Sequence, residues 1–258
     1  VLLDRSNDTS ADASRIIGGT ATTIERFPYT VQVLYNRRLA CGGSLLTRRH
    51  VLSAAHCFFD ANGLLVPASH YTIRAGTARL ESGGSTKSVS MYIIHERYNN
   101  PIQRDNDIAV MVLSSRVSLG SRVALASILA QGVEVPDNSP VIHVGWGRTN
   151  VTASVLQEVS IRTIGFTICF ERYAWLSTLG REQYVVTANM ICSGLLDIGG
   201  ADACQGDSGG PLVYQGVVVG ITSWGYGCGE PRFPGVNAKV SAYTNWINQT
   251  VSTTILIS

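Results

Sequence analysis

Three short segments of this 258-residue chain hold residue types able to carry out nucleophilic chemistry. Ser53-Ala54-Ala55-His56-Cys57 follows the apolar run His50-Val51-Leu52, and Asp105-Asn106-Asp107 opens the run Ile108-Ala109-Val110. Gly206-Asp207-Ser208-Gly209-Gly210-Pro211 is a glycine-rich turn with a serine at its centre. A serine hydroxyl is a poor nucleophile near neutral pH and needs a neighbouring base to take its proton. His56, with an ordinary pKa of about 6.5, can take that proton and return it to a leaving group. Asp107 can hold the imidazole in the useful tautomer and stabilise it when charged. Glycines beside Ser208 allow a turn tight enough to aim backbone N–H groups at one point. Taken singly each segment is a weak signal, since turn acids and Ser-containing glycine turns are common in all-β proteins. Asp107 is preferred to Asp105 because it directly precedes the apolar run. His50, His70, His95 and His143 lack such a context and read as surface or structural residues.

The elements available to position these groups are strands. Apolar runs are short and rich in β-branched or aromatic residues, bounded by Gly, Pro, Asn or Ser, as in Tyr29 to Leu34, His50 to Ser53, Ile108 to Leu113, Val141 to Val144 and Val217 to Ile221. That pattern belongs to a barrel or sandwich. Ala124 to Ile128 reads as a helical turn, with Pro136 and Pro140 beyond it. Ser241 to Val251 is the best helix, because Tyr243, Trp246 and Ile247 recur at spacings of three and four. Residues 4 to 14 are small and polar and read as a flexible leader ending at Arg15.

Composition narrows the function classes. Hydrophobic residues make up 45% and charged ones 15%, which excludes a disordered chain, and a net charge of +2 gives no footprint for nucleic acid or an anionic membrane. No apolar run approaches the roughly 18–20 residues that span a bilayer. The chain opens at Val1, so a signal peptide is expected to have preceded it. Six cysteines without a C-x-x-C pair, and candidate N-glycosylation sites at Asn7, Asn150 and Asn248, favour a secreted, oxidising setting. Spacing alone leaves about fifteen disulfide pairings open. Of the 20 basic residues only Lys87 and Lys239 are lysine.

The His, Asp and Ser segments, in that chain order and with these flanking residues, resemble the trypsin-type members of the chymotrypsin-like serine proteases, over essentially everything from Ile16 to about Val251. Pro234-Gly235-Val236-Asn237 and Cys204-Gln205-Gly206-Asp207-Ser208-Gly209-Gly210 look most like the moth-type insect trypsins. The resemblance implies an all-β fold of two antiparallel six-stranded β-barrels with a C-terminal α-helix. It divides the chain into a leader (1–15), a barrel carrying His56 and Asp107 (16–125), and a barrel carrying Ser208 (126–258). The triad mechanism, with the N–H groups of Gly206 and Ser208 as the oxyanion hole, is carried over from that family by the match.

Further roles follow from the same resemblance. Asp202 would form the floor of the specificity pocket, with Gly225, Gly227 and Gly235 leaving its walls open, so that Arg or Lys enters before the cut bond. Ser223 would back Asp107. Arg15-Ile16-Ile17-Gly18-Gly19 resembles an activation site, where cutting after Arg15 frees the Ile16 amino group to pair with Asp207. The implied disulfides are Cys41–Cys57, Cys169–Cys192 and Cys204–Cys228. Partners would be protein or peptide substrates and protein protease inhibitors, with the enzyme a secreted digestive monomer, in an alkaline gut lumen if the arginine bias is adaptive. No cofactor and no metal is expected, because Arg74 to Ser90 offers only Glu81 as a carboxylate. Asn237 departs from vertebrate trypsins, which carry Tyr there, and leaves the bonding behind Asp202 open. A catalytically dead homologue acting as a binding protein would need a broken triad, and a narrow processing protease is the alternative among enzymes.

Overall fold

The computed structural model describes residues 18–147, 154–180, 182–203 and 206–256. A two-residue strand, β1 (Thr20–Ala21), comes first. Six strands follow: β2 (Thr30–Tyr35), β3 (Arg38–Leu45), β4 (His50–Ser53), β5 (Tyr71–Ala75), β6 (Ser85–Ile94) and β7 (Ala109–Leu113). They close in the order β2-β3-β4-β7-β6-β5. The inward side of β5 alternates with its outward side, whereas β7 is buried throughout because it lies between the barrel core and its neighbours.

After β8 (Ser127–Ile128), a second ring is built from β9 (Pro140–Gly145), β10 (Gln157–Ile164), β11 (Met190–Gly194), β12 (Pro211–Tyr214), β13 (Val217–Trp224) and β14 (Gly235–Lys239). Pairing runs β10-β11-β14-β13-β12-β9, and β9 pairs with β10 to close it. All ring pairings in both barrels are antiparallel. The expected architecture of two closed six-stranded barrels is what forms. β1 and β8 are additions at its edges.

Antiparallel register places the chemistry. Ser53 at the end of β4 pairs with Ala109 at the start of β7. His56, three residues beyond Ser53, and Asp107, two before Ala109, therefore emerge side by side at one barrel end. In the second barrel the tight connection through Gln215 and Gly216, both with positive φ, folds β12 against β13. Ser208, just before β12, and Ser223-Trp224 at the end of β13 thus reach the same face.

Three elements differ from the sequence reading. Ser127–Ile128 is a strand parallel to β13 and not a helical turn, held by pairing with Val217 and Val218 that no local signal reports. Helix α1 (Phe166–Leu179) has no single apolar face: Cys169, Tyr173 and Leu176 are buried while Phe166, Ile168, Phe170, Trp175 and Leu179 are exposed. Its periodicity is therefore masked. The C-terminal helix α2 runs Val240–Leu256, longer than Ser241 to Val251. Val240, Tyr243 and Ile247 bury its inner face, and Thr254 in the last turn bonds His50 of the first barrel at 2.9 Å. No helix among the described residues is long and apolar enough to cross a membrane.

Candidate active site

His56 sits on a short 3₁₀ turn (Ala55–Phe58) that begins where β4 ends. The Cys41–Cys57 disulfide clips that turn to β3. Asp107 fixes the ring twice: its Oδ1 accepts from the His56 backbone N–H at 2.9 Å, and its Oδ2 accepts from Nδ1–H at 2.7 Å. Ser223 Oγ, from the second barrel, also donates to Oδ2. Since a carboxylate can only accept from Nδ1, the lone pair lies on Nε2. Burial works against charge on both groups, but their mutual attraction and hydrogen bonds outweigh it. The His56 pKa is raised above 6.5 and that of Asp107 is held below its ordinary value, with the Arg104 cation pulling His56 the other way.

The Ser208 segment meets this pair across the gap between barrels. Gly42 of β3 donates its N–H to the Ser208 carbonyl at 2.7 Å, and Cys57 Sγ lies 4.0 Å from both that carbonyl and His56 Nε2. So close an approach needs glycine: a side chain at Gly209 (φ +77°) would overlap Ser53 Oγ and the Gly42 carbonyl. Ser208 Oγ makes no hydrogen bond to His56 here, and such bonds commonly tighten only when substrate arrives. Gly206 holds φ at 97°, and neither its N–H nor that of Ser208 is hydrogen-bonded among the described residues.

Beside Ser208 a cavity of about 290 Å³ opens between Ser223-Trp224-Gly225 and Gly235, with Gly227 on its wall and Asp202 at its floor. Asp202 is 6% exposed and, among the described residues, accepts from the N–H groups of Ala203 (2.8 Å) and Gly229 (3.4 Å). Burial dominates these bonds and pushes its carboxyl up to about 7. Asn237 lies behind it, donating to the Ile191 carbonyl (3.0 Å) and to Ser193 Oγ (3.1 Å). His143 continues the same network, bonding Ser193 Oγ and Thr222 Oγ1, and burial drops its pKa to about 3. Asn237 thus belongs to a polar network with Ser193, His143 and Thr222.

A protease of trypsin type is what these features suggest, and comparison with known proteins agrees. The trypsin family model matches residues 16–247. The chain belongs to the trypsin family. It is 42% identical to "Trypsin, alkaline B" of Manduca sexta over 92% of this chain and 91% of that protein. It is 42% identical to "Trypsin CFT-1" of Choristoneura fumiferana, over 90% of each. "Vitellin-degrading protease" of Bombyx mori matches at 36% over 92% of this chain and 86% of that one. The protein is a trypsin-like serine endopeptidase acting on protein or peptide substrates.

The remaining motifs of the protease fall as follows. Cys169–Cys192 joins α1 to β11. Cys228 is disulfide-bonded, but Cys204 lies outside the described residues, as do Arg15, Ile16, Asn7 and Asn150. Asn248 is exposed on α2. Asp207 is buried, with Oδ1 accepting from Gly147 N–H at 2.8 Å and its carboxylate filling the space that side chains at Gly145 and Gly147 would need. Gly18 (φ +67°) packs against Gly200 and Ala201, so the chain enters next to Asp202. Glu81, the one acid of its loop, accepts from the Leu39 N–H and from Arg38. Cys41 and Cys57, which lie with His56 in one cluster, are disulfide-bonded to each other and offer no thiolate to a metal.

Two positions carry more than their sequence showed. Asp105 is a clip between barrels: it accepts from Thr187 Oγ1 at 2.8 Å and from Asn189 Nδ2 at 3.3 Å. Arg104 lies over the rings of Trp224 and Tyr184 next to His56. Neither role has a sequence signature, because the partners lie some 80 residues or more away in the chain for Asp105, and for Arg104 they come from the other barrel.

Proposed function

We propose that this protein is a secreted digestive endopeptidase that cuts after Arg or Lys through an acyl-enzyme, made as a precursor and activated by cleavage between Arg15 and Ile16. The observation that carries this reading is the cavity that opens beside Ser208 and is lined by the buried Asp202 carboxylate. A carboxylate held by two backbone N–H groups and pushed up to about 7 is poorly solvated, and a cationic side chain relieves that while a neutral one leaves it unpaired.

With Arg or Lys in the cavity, the peptide carbonyl stands beside Ser208. His56 Nε2 takes the Ser208 proton as Oγ attacks, and Asp107 stabilises the imidazolium formed. The N–H groups of Gly206 and Ser208 bind the oxyanion, each donor being worth about 10²–10³ in rate. Imidazolium then protonates the leaving amine, and water repeats the sequence to release the acyl group. Burial of the Ile16 ammonium against Asp207 would hold this loop in place, an idea supported by the buried position of that carboxylate. Disulfides and glycosylation motifs support secretion. The arginine bias suits alkaline fluid, since lysine loses its charge near pH 10.4 and arginine does not, and one relative bears the name "Trypsin, alkaline B". Protein inhibitors that fill the same cavity, and action as a monomer, complete the reading.

Activated enzyme offered peptides with Arg, Phe or Glu at the cleavage position tests it. Arg should be cut fastest, and Ser208→Ala should cut none. Preference for Phe would overturn the role of Asp202, and N-terminal sequencing of active enzyme that began anywhere but Ile16 would overturn the activation step.

A further inference from the structure

A second cavity, of about 350 Å³, lies on the His56 side of the Ser223-Trp224-Gly225 edge and shares that edge with the Asp202 cavity. Its wall includes Arg104, a residue in the left-handed conformation (φ 67°) that side chains rarely adopt. The turn is held by the Arg104 N–H donating to Asn99 Oδ1 at 2.6 Å. The guanidinium lies 5.5 Å from the Trp224 ring centre and 5.9 Å from that of Tyr184, contacts that favour a cation. Among the described residues its ion pair is with Glu182 at 3.0 Å, and both side chains are substantially open to solvent, at 35% and 48%. Such pairs are worth little and exchange readily for another carboxylate.

An extended peptide lying along the Ser223–Gly225 edge turns alternate side chains to opposite faces, at about 3.3 Å per residue. With Arg in the Asp202 cavity, the residues one and three places before it face His56, Trp224 and Arg104. The chain's own leader reads Asp12-Ala13-Ser14-Arg15. In that frame Ser14, which is small, falls against His56, and Asp12 falls on the same face about 7 Å further along, toward the guanidinium.

We propose that Arg104 is a specificity-determining residue that selects substrates with a carboxylate three residues before the cut Arg or Lys, and that the leader of a second copy of this chain is one such substrate. This rests on cleavage after Arg or Lys. Activation is then a reaction between two molecules of this protein, accelerated by the Arg104–Asp12 pair.

The test uses peptides X-Ala-Ser-Arg joined to a reporter amine, with X as Asp, Asn, Ala or Lys. Asp should exceed Asn by about two- to fivefold in kcat/KM, the size of an exposed charge pair, and Lys should be cut most slowly. The Asp advantage should shrink with added salt and vanish in Arg104→Met. Glu182→Gln leaves Arg104 in place without its competitor and should widen the advantage, so it carries the test if Arg104→Met does not fold. In the full chain, Ser208→Ala protein serves as the uncut substrate. Asp12→Asn in that substrate should slow release of the Ile16 terminus by wild-type enzyme and not by Arg104→Met. Equal cleavage of all four peptides, or an Asp advantage that survives Arg104→Met, overturns the proposal and leaves cleavage after Arg intact. Failure to cut any of the four, with Phe peptides cut, overturns cleavage after Arg instead.

Discussion

Asp107 and Asp202 are both buried carboxylates, at 3% and 6% exposure, yet their chemistry is opposite. Asp107 has two hydrogen bonds from His56 and one from Ser223, with an imidazole beside it that can take up charge, and its pKa is lowered. Asp202 has two backbone N–H groups, one of them at 3.4 Å, and its pKa rises to about 7. Burial is common to both, so the partners decide the sign. The first site is complete in the free protein and holds a charge ready for use. The second is unfinished until a cation arrives, and its cost in the free state becomes selectivity when substrate binds.

The largest expected effect tests the completed site. Asp107→Asn keeps the shape but lets His56 present the wrong tautomer, and kcat should fall by about 10⁴-fold, the figure established for this family's triad. A loss below tenfold would show that His56 is oriented without Asp107.

Asp202→Asn should leave kcat for neutral substrates nearly unchanged and cut kcat/KM for Arg substrates by about two to three orders of magnitude, as expected when a buried pair loses one partner. It should also stabilise the free protein at alkaline pH. Because burial raises the Asp202 pKa from 3.8 to about 7, charging it costs stability as pH rises through that interval. Asp107 behaves oppositely, since its lowered pKa makes its charge stabilising above 3.8 and the contribution is lost on acidification. Thermal melts should therefore place Asp202→Asn above wild type at pH 9, and Asp107→Asn below wild type near pH 6, where His56 is still charged. The reverse order would break the comparison.

A pH profile gives a smaller, sharper contrast. Deprotonation of His56, above 6.5, limits every substrate, while ionisation of Asp202 near 7 adds a second limb for Arg substrates alone. The kcat/KM of free enzyme for Arg should rise more steeply with pH between about 6 and 8 than that for Phe. Parallel profiles would mean Asp202 is already charged below that range. The smallest effect is at the clip between barrels. Thr187→Val removes one hydrogen bond to Asp105 and should cost about 1 kcal/mol, read as a drop of roughly 2–4 °C in Tm. No change would show that Asn189 alone holds the clip.

Much of this was legible from residues near one another in the chain. The short β-branched runs announced strands, and the pattern of Tyr243, Trp246 and Ile247 announced the final helix. The His56, Asp107 and Ser208 segments each kept a local signature because each sits in a turn whose shape depends on its own neighbours. Helix α1 has no sequence signature, because its buried Cys169, Tyr173 and Leu176 are interleaved with exposed Phe166, Phe170 and Trp175. Nothing beside Asp105 in the sequence points to Thr187 or Asn189, its partners in the other barrel. Cys41–Cys57 and Cys169–Cys192 join as the family resemblance implied, although spacing could not choose them.

The sequence by itself therefore determined the residue types, the strands that carry them and the family to which they belong, since those depend on local pattern and covalent order. Tertiary structure alone decided which carboxylate is lowered and which is raised, and that Asn237 and His143 share one network behind the pocket. It also decided that Arg104 faces Trp224 across the cleft. A pKa or a cation–ring contact depends on distances between atoms far apart in the chain, and those distances exist only once two barrels have closed and met.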